Sequence, residues 1–263
     1  MKLYLNGALR DAADARIAPG DRGFTLGDGL FETLRVRDGR ILRLDAHLAR
    51  LEAGARVLGL PLPQLDLAAV LDDTRAANGL ADAVLRLTVT RGEGPRGVLP
   101  PAAPQPTVLV TIAPMAPPPA AARLIVATST RRNERSPLAG VKSLNYLDNI
   151  LARQEAATAG ADDAILLNTR DHVAETSIAN VFAVIEGHLL TPPLADGALP
   201  GVMRAAVLAL AGAERTLSVD DLARAEEVFL SSSLGLRSVA ELAGRPLASA
   251  ATVLRLKTAL GEP

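Results

Sequence analysis

Apolar and polar residues alternate with a period of two along several short stretches near the start of the chain. The stretch "FETLRVRDGRILRL", residues 31–44, carries Asp38-Gly39 at its centre, which predicts two strands joined by a hairpin turn. Alternation also predicts strands at "KLYL", "AVLRLTVTR" and "TVLVTIA". The first part of the chain is therefore predicted to combine strands and hairpins with the helices that follow.

A helical spacing of apolar residues begins directly after this hairpin. Asp45 is predicted to be the N-cap of a helix. The apolar positions on one side of that helix are Leu44, Leu48, Leu51, Ala55 and Leu58. His47, Arg50 and Gly54 form a second stripe, which is either the solvated side of the helix or a ligand-binding side. A second helix is predicted over 65–78.

A proline-rich stretch, "APMAPPPAAA" at 113–122, separates two regions of mixed strands and helices. Consecutive prolines exclude both a helix and a central strand. We therefore predict an N-terminal α+β domain at 1–115, a linker at 116–122 and a C-terminal α+β domain at 123–263. Strands and helices mix without regular alternation in both parts, which favours the α+β class.

Composition narrows the classes of function. The 263 residues carry a net charge of −1 without a basic run, which argues against a nucleic-acid or membrane surface. No cysteine is present, and the three histidines are scattered, so neither thiolate nor histidine metal sites are expected. Arg131, Arg132 and Arg135 are interpreted as a solvated loop. We expect a cytoplasmic globular enzyme or small-molecule binder.

The glycine pattern in "RGEGPRG", residues 91–97, matches G-x-G-x-x-G after a predicted strand. A dinucleotide site requires a helix next, whose N-terminus holds the pyrophosphate. The continuation "VLPPAAPQP" excludes that helix. The pattern therefore predicts a tight loop that carries Arg91 and Arg96.

Lys142 is one of only three lysines, with Lys2 and Lys257, in a chain that has 25 arginines. The sequence predicts a helix from about Ser143 to Ala159, with Lys142 at its N-terminus, where a cation is disfavoured. A partly buried lysine can lose its proton, whereas an arginine cannot, and a neutral amine is a nucleophile. The alternative is an ordinary exposed lysine in a loop.

Four motifs stand together between Asp21 and Gly244: "LGDGLFETLRV", "VKSLNYLDNILARQEA", "VAETSIANVF" and "ALPGVMR". In this combination the chain resembles the class IV aminotransferases, the fold-type IV pyridoxal-phosphate enzymes. The resemblance implies a two-domain α+β fold like that of D-amino-acid aminotransferases, with pyridoxal 5'-phosphate as cofactor. It also implies a homodimer.

Carried over by residue, the resemblance implies that Lys142 is the Schiff-base lysine and the proton shuttle. Glu175 matches the acidic partner of the pyridine nitrogen. Without the resemblance, the sequence around Glu175 indicates a solvated glutamate in a turn. Arg50 matches the phosphate-binding arginine, and a guanidinium suits a phosphate dianion. Val202 and Met203 match the helix N-terminus whose main-chain N–H groups bind the same phosphate.

Further positions follow from the same resemblance. Leu199 corresponds to the apolar residue that packs on the cofactor ring. Ser232 and Ser233 add phosphate or substrate hydrogen bonds, and Tyr146 matches a tyrosine that some members direct at the ring hydroxyl. Glu32 lies on the strand that lines the active site in this family, where it can interact with the lysine.

Two reactions share this apparatus. Arg96 matches the loop arginine that binds the substrate carboxylate in D-amino-acid transaminases, but Val98 and Phe31 replace that family's histidine and tyrosine. We therefore expect an aminotransferase that moves an amino group between an amino acid, D-amino acids included, and a 2-oxo acid. The alternative is a 4-amino-4-deoxychorismate lyase that releases pyruvate and 4-aminobenzoate.

Overall fold

The protein is an α+β molecule made of two compact units. A computed structural model describes residues 1–247 and 249–262. The first unit comprises Met1–Pro117 together with Val141–Asn145, and the second comprises Pro118–Gly140 and Tyr146–Pro263. The chain therefore returns to the first unit for five residues, and Lys142 is among them.

The first unit contains six strands and three helices. The strands are β1 (Lys2–Leu5), β2 (Ala8–Asp11), β3 (Gly29–Arg37), β4 (Arg40–Ile41), β5 (Ala83–Thr90) and β6 (Thr107–Pro114). The helices are α1 (Arg22–Leu26), α2 (Leu44–Leu58) and α3 (Leu67–Ala76). The strands form one sheet in the order β2-β1-β6-β5-β3-β4, with every neighbouring pair antiparallel.

The hairpin predicted at Asp38-Gly39 is present, with φ angles of 49° and 71° at these two residues. Two positive φ angles match the right-handed twist of the flanking strands. α2 and α3 lie on the core side of the sheet. That core includes Leu34, Leu71 and Leu85, which are fully buried.

The described residues of the second unit form nine strands. They are β7 (Ala122–Val126), β8 (Asp163–Leu167), β9 (Val173–Thr176), β10 (Asn180–Ile185), β11 (His188–Thr191), β12 (Ala213–Glu214), β13 (Glu227–Ser232), β14 (Gly235–Leu242) and β15 (Arg245–Pro246). Eight of them follow the order β12-β11-β10-β13-β14-β7-β8-β9, and β15 pairs with β14.

Within the part of this unit that the structure describes, four helices cover the sheet: α4 (Leu147–Thr158), α5 (Val202–Leu210), α6 (Val219–Arg224) and α7 (Ala251–Leu260). α5 and α7 pack on a cluster in which the Phe182 and Phe229 rings stack with centroids 5.0 Å apart. The alanine side of α4, Ala152 and Ala156, packs on β8. Short 3₁₀ turns lie at Pro137–Gly140 and Leu194–Asp196.

Three local predictions differ from the structure. The helix predicted from Ser143 begins at Leu147. The N-cap of α2 is Arg43 rather than Asp45, which lies in the first turn. The sequence placed Lys142 in the C-terminal domain, whereas main-chain pairing with β3 assigns it to the first unit. Non-local hydrogen bonds account for the first and third differences.

None of the helices in the described part of the chain has the length and hydropathy that a membrane span requires.

Candidate active site

Residues 142–144 form a short extended segment on the edge of β3 that β5 does not occupy. The main-chain nitrogen of Phe31 donates to the Lys142 carbonyl at 3.0 Å, and that of Leu144 donates to the Gly29 carbonyl at 3.0 Å. Lys142 is thus held on a sheet, five residues before α4 begins. The expected position at a helix N-terminus is wrong, and the sheet edge fixes the main chain of the lysine instead.

Gly29 allows this close approach. A Cβ atom at this position would lie 2.7 Å from the Val89 carbonyl oxygen and 2.8 Å from a methyl carbon of Leu144. Since a backbone atom cannot yield as a flexible side-chain end can, any larger residue would disturb the pairing of β3 with β5 at Val89, and the Leu144 side chain would also have to move. This explains the glycine that precedes "LFETLRV".

Two cations contact the ring of Phe31. Lys142 Nζ lies 4.3 Å from the ring centroid, and Arg86 Cζ lies 3.8 Å from it. Arg86 is on β5, diagonally across from Phe31 in the register of the two strands. We refer to Phe31, Arg86 and Lys142 as the lysine cluster. Arg86 is exposed and Lys142 is partly exposed, so a ligand can reach both side chains.

Glu32 follows Phe31 on β3 and therefore faces the opposite side of the sheet. Its carboxylate accepts hydrogen bonds from Arg50 Nε at 2.8 Å and Nη2 at 2.5 Å, and lies 2.7 Å from His47 Nδ1. Burial raises the pKa of Glu32, but the hydrogen bonds from Arg50 and His47 outweigh it and hold the pKa below its ordinary value. We expected Glu32 to interact with the lysine; its described side-chain contacts are with Arg50 and His47 of α2 instead.

A second group of polar side chains lies in the second unit around Glu175, which is buried. Its Oε2 accepts a hydrogen bond from the Leu199 main-chain nitrogen at 3.0 Å and from Asn180 Nδ2 at 3.4 Å. Its Oε1 lies 3.3 Å from Arg132 Nε. We refer to Arg132, Glu175, Asn180 and Leu199 as the glutamate cluster. The interpretation of Glu175 as a solvated residue in a turn is wrong.

Arg132 was interpreted as part of a solvated arginine loop, which is also wrong. Besides the ion pair with Glu175, its guanidinium donates to the carbonyls of Gly197 at 3.2 Å and Ala139 at 2.8 Å. Sequence alone did not distinguish the arginine that reaches Glu175 from the other two of the run, so this contact was not predicted. Arg132 and Asn180 contact Glu175 in the candidate site, and sequence reasoning missed both.

The start of α5 lies beside the glutamate cluster. Val202 and Met203 are buried in its first turn, and no side chain caps this helix N-terminus. A Cβ atom at Gly201 would collide with the Asn180 amide oxygen, which accounts for the glycine. Ser231 pairs with Asn180 across β10 and β13, and its buried hydroxyl has no hydrogen-bond partner within residues 1–247 and 249–262.

These features fit pyridoxal phosphate, the cofactor implied by the resemblance. An uncapped helix N-terminus offers main-chain N–H groups and partial positive charge to a phosphate. The buried Ser231 hydroxyl is a further hydrogen-bond donor that a phosphate oxygen could accept from. A buried carboxylate such as Glu175 can hold a proton on a pyridine nitrogen. When bound, the cofactor supplies an electron sink for the charge released at a substrate α-carbon.

The remaining predicted cofactor and substrate residues occupy the ends of elements. Tyr146 is the partly buried residue that precedes α4. Ser232 ends β13, and its hydroxyl accepts a hydrogen bond from the Leu234 main-chain nitrogen at 3.2 Å. Ser233 follows it, partly buried. Leu199 contacts Glu175 through its main chain, which leaves its side chain available to pack on a ring.

The loop that follows β5 carries Arg96, which is exposed. No helix lies between this loop and β6, as predicted.

Arg91 is buried and donates to Asp28 and to the Leu58 carbonyl, so it serves the fold rather than a substrate. Arg22, which sequence reasoning missed, donates to the same carboxylate and to the Val98 carbonyl, both at 2.8 Å. This pair of buried arginines anchors the loop.

Comparison with known proteins gives the family. The model of the amino-transferase class IV family matches residues 29–242. The chain is 32% identical over 242 residues to the D-alanine aminotransferase of Bacillus licheniformis. This alignment covers 89% of this chain and 85% of that protein.

Two solved structures extend the comparison. The 4-amino-4-deoxychorismate lyase of Pseudomonas aeruginosa is similar with a TM-score of 0.86 and 38% identity, over 98% of this chain and 97% of the other. The branched-chain amino acid aminotransferase of Escherichia coli is similar with a TM-score of 0.93 and 26% identity, over 99% of this chain and 92% of the other. The fold is thus that of the fold-type IV enzymes. The chain belongs to the class IV aminotransferases, which are pyridoxal-phosphate-dependent enzymes.

Proposed function

We propose that the protein is an aminotransferase in which Lys142 and Glu175 act on pyridoxal phosphate. The observation that carries this proposal is the position of Lys142, the only internal lysine, held on a sheet edge with its amine 4.3 Å from the Phe31 ring centroid. An amine on a rigid main chain is positioned to form a covalent bond with an aldehyde and to transfer protons.

Each cluster has a separate task in this proposal. Lys142 Nζ, when neutral, would take the proton from the α-carbon of the donor amino acid. In the second half of the reaction it would supply the proton that the α-carbon of the 2-oxo acid acceptor gains. Glu175 keeps a proton on the pyridine nitrogen, and Arg132, Asn180 and the Leu199 N–H hold its carboxylate in place. Leu199 packs on the cofactor ring, and Tyr146 serves the ring hydroxyl.

The phosphate has its own set of residues. We propose that it is held by the α5 N-terminus at Val202 and Met203, by Ser233 and by Arg50, whose guanidinium Glu32 orients. Ser232, Phe31 and Arg96 are proposed to face the substrate. For Glu32 we propose this orienting role, since its described hydrogen bonds go to α2.

A lyase acting on 4-amino-4-deoxychorismate is the second candidate. The 38% identity to the lyase of Pseudomonas aeruginosa over nearly the full length of both chains favours it. Phe31 and Val98 also stand where the family's D-amino-acid transaminases have a tyrosine and a histidine. The same lysine chemistry serves both reactions, so substrate contacts decide between them.

The test is a panel of D- and L-amino acids offered with pyruvate or 2-oxoglutarate, run beside an aminodeoxychorismate lyase assay. We expect formation of alanine or glutamate from at least one donor, at a rate above that of the Lys142→Ala variant. Release of 4-aminobenzoate and pyruvate without amino transfer to any acceptor would replace the proposal with the lyase.

We propose further that the protein is a homodimer. α4 exposes Leu147, Ile150 and Leu151 to solvent, with Leu147 75% exposed. The Asn149 side chain donates to the Ser177 carbonyl at 2.8 Å, which brings the exposed Ile178 to the same helix. A contiguous apolar surface of this kind is typical of a protein–protein interface.

Light scattering after gel filtration should give about twice the chain mass of 27.3 kDa. Leu147→Glu should shift the mass toward one chain, because it places a charge in the apolar surface. Leu254→Glu is the matched control, since Leu254 is also a solvent-exposed leucine of a helix, 59% exposed on α7. A wild-type protein that stays monomeric at assay concentrations would contradict this proposal.

A further inference from the structure

The turn that links Glu175 to Asn180 is held from outside by a buried aspartate. Glu175 lies on β9 and Asn180 begins β10, so residues 176–179 set the distance between them. Asn180 Nδ2 lies 3.4 Å from Glu175 Oε2, which is long for a hydrogen bond. A small change in the turn would therefore break this contact within the glutamate cluster.

Ser177, in the middle of this turn, has its N–H, hydroxyl and carbonyl groups all engaged. Its main-chain nitrogen donates to Asp163 Oδ1 at 3.3 Å, and its hydroxyl donates to the same oxygen at 2.5 Å. Its carbonyl accepts a hydrogen bond from Asn149 Nδ2 at 2.8 Å. All three residues are buried, so bulk water does not compete for these bonds. We refer to Asn149, Asp163 and Ser177 as the Ser177 clamp.

The charge of Asp163 is compensated inside the second unit. Arg153 Nη1 lies 3.1 Å from Asp163 Oδ2, and the Ala164 main-chain nitrogen donates to Oδ1 at 2.8 Å. Arg153 and Asn149 are four residues apart on α4, so they lie on the same side of that helix. Burial of a carboxylate is costly even when the carboxylate is paired, and a neutral side chain avoids that cost. What the charge adds is shorter and stronger hydrogen bonds, which make the turn more rigid.

We propose that Asp163 is a positioning residue for Glu175, because it fixes, through Ser177, the turn that joins Glu175 to Asn180. This inference rests on the proposed function, since it takes Glu175 as the residue that keeps a proton on the pyridine nitrogen. A charge-assisted hydrogen bond weakens steeply when its distance and angle depart from the optimum. A looser turn therefore lowers the protonated fraction of the ring nitrogen, and with it the capacity of the ring to accept electrons.

The first test measures the turn itself. Hydrogen exchange of the peptide that covers residues 175–181 is followed by mass spectrometry, with and without pyridoxal phosphate. Asp163→Asn keeps the size of the side chain and removes its charge. We expect this variant to speed exchange of the peptide by roughly 10-fold, the size expected when a hydrogen bond to a charged group becomes a neutral one.

Asp162→Asn is the matched control for both tests. Asp162 is the preceding aspartate, partly exposed, and accepts a hydrogen bond from the Arg123 main-chain nitrogen at 2.8 Å. Its carboxylate is outside the Ser177 clamp. Exchange of the peptide 175–181 and kcat should therefore stay at the wild-type values in Asp162→Asn.

The second test follows the ring nitrogen by NMR. Pyridoxal phosphate with an isotope-labelled ring nitrogen is bound to each variant, and the nitrogen chemical shift distinguishes the protonated from the neutral form. We expect the protonated signal in the wild type, and a shift in Asp163→Asn toward the signal of Glu175→Gln. We also expect kcat to fall by roughly 10- to 100-fold, since a misplacement of about 1 Å costs up to 10²-fold. KM should change less than kcat.

Ser177→Ala tests the same bond from its donor side, and it serves as the second variant if Asp163→Asn does not fold. It removes the hydroxyl that donates to Asp163 Oδ1. If both residues act through one bond, the double variant should lose about as much kcat as the more damaging single variant.

The assignment is overturned by wild-type kcat and an unchanged nitrogen signal in Asp163→Asn. Equal losses in Asp162→Asn, or additive losses in the double variant, would overturn it as well. Failure of the proposed function is distinguishable from these results. In that case Glu175→Gln itself keeps the wild-type kcat and nitrogen signal, while hydrogen exchange still reports whether Asp163 holds the turn.

Discussion

Replacing Lys142 with alanine lowers kcat by roughly 10³-fold or more, the largest effect expected of any single substitution in this chain. The physical reason is that one side chain has two tasks, covalent attachment of the cofactor and proton transfer, and proton transfer alone contributes about 10²–10⁴-fold. No other lysine can take its place, since Lys2 and Lys257 lie in β1 and α7. Steady-state kinetics with the best donor of the amino-acid panel measure the loss.

Borohydride reduction and peptide mapping test the covalent bond separately from turnover. Reduction of the wild-type protein loaded with pyridoxal phosphate should leave a pyridoxyl group on Lys142. Lys257→Ala is the matched control and should keep both the label and the activity. A label on Lys2 or Lys257 in place of Lys142 would contradict the assignment.

Glu175→Gln should keep the cofactor bound and lose most of the turnover, by roughly 10²–10³-fold, the usual cost of removing one charge-stabilising group from an active site. A neutral amide cannot hold a proton on the pyridine nitrogen, so the ring accepts electrons from the substrate poorly. Gln keeps the size of the side chain, and its amide oxygen can still accept the Leu199 N–H. The measurement is kcat together with the affinity for pyridoxal phosphate.

Glu155→Gln provides the control for this variant. Glu155 is also a hydrogen-bonded carboxylate of the second unit, and hydrogen bonds from Ser129 and Thr128 lower its pKa to about 2. It lies outside the glutamate cluster, so its neutral variant should retain wild-type kcat. Wild-type turnover in Glu175→Gln itself would remove Glu175 from the mechanism.

Local patterns in the sequence predicted much of the fold. The alternation in "AVLRLTVTR" and "TVLVTIA" matches β5 and β6, and Asp38-Gly39 forms the predicted turn. Each of these features depends on side-chain period or turn chemistry within a few residues, which a single sequence records. The same alternation places Arg86 on the polar face of β5, so that residue was accessible to sequence reasoning.

Contacts between distant residues were not predictable in this way. The pattern around Leu144 and Leu147 favours a helix from Ser143, yet pairing of 142–144 with β3 delays the helix to Leu147. Arg132 reaches Glu175 across 43 positions of the sequence, and no local signal distinguishes it from Arg131. Glu32 was assigned to the lysine by its place in a motif, whereas strand alternation turns it toward α2.

The return of Val141–Asn145 to the first unit has a consequence for how the chain folds during synthesis. Val141 belongs to the core of that unit, and the Asn145 side chain donates to the Gly27 carbonyl over a sequence separation of 118. Contacts of such high contact order form late, because a long loop must close first. On the ribosome, the N-terminal unit therefore lacks part of its core, and the Gly29–Phe31 end of β3 lacks the partner that residues 142–144 supply, until the polypeptide has grown past Asn145. Over that interval the nascent chain exposes an unpaired strand edge, the kind of surface that chaperones shield.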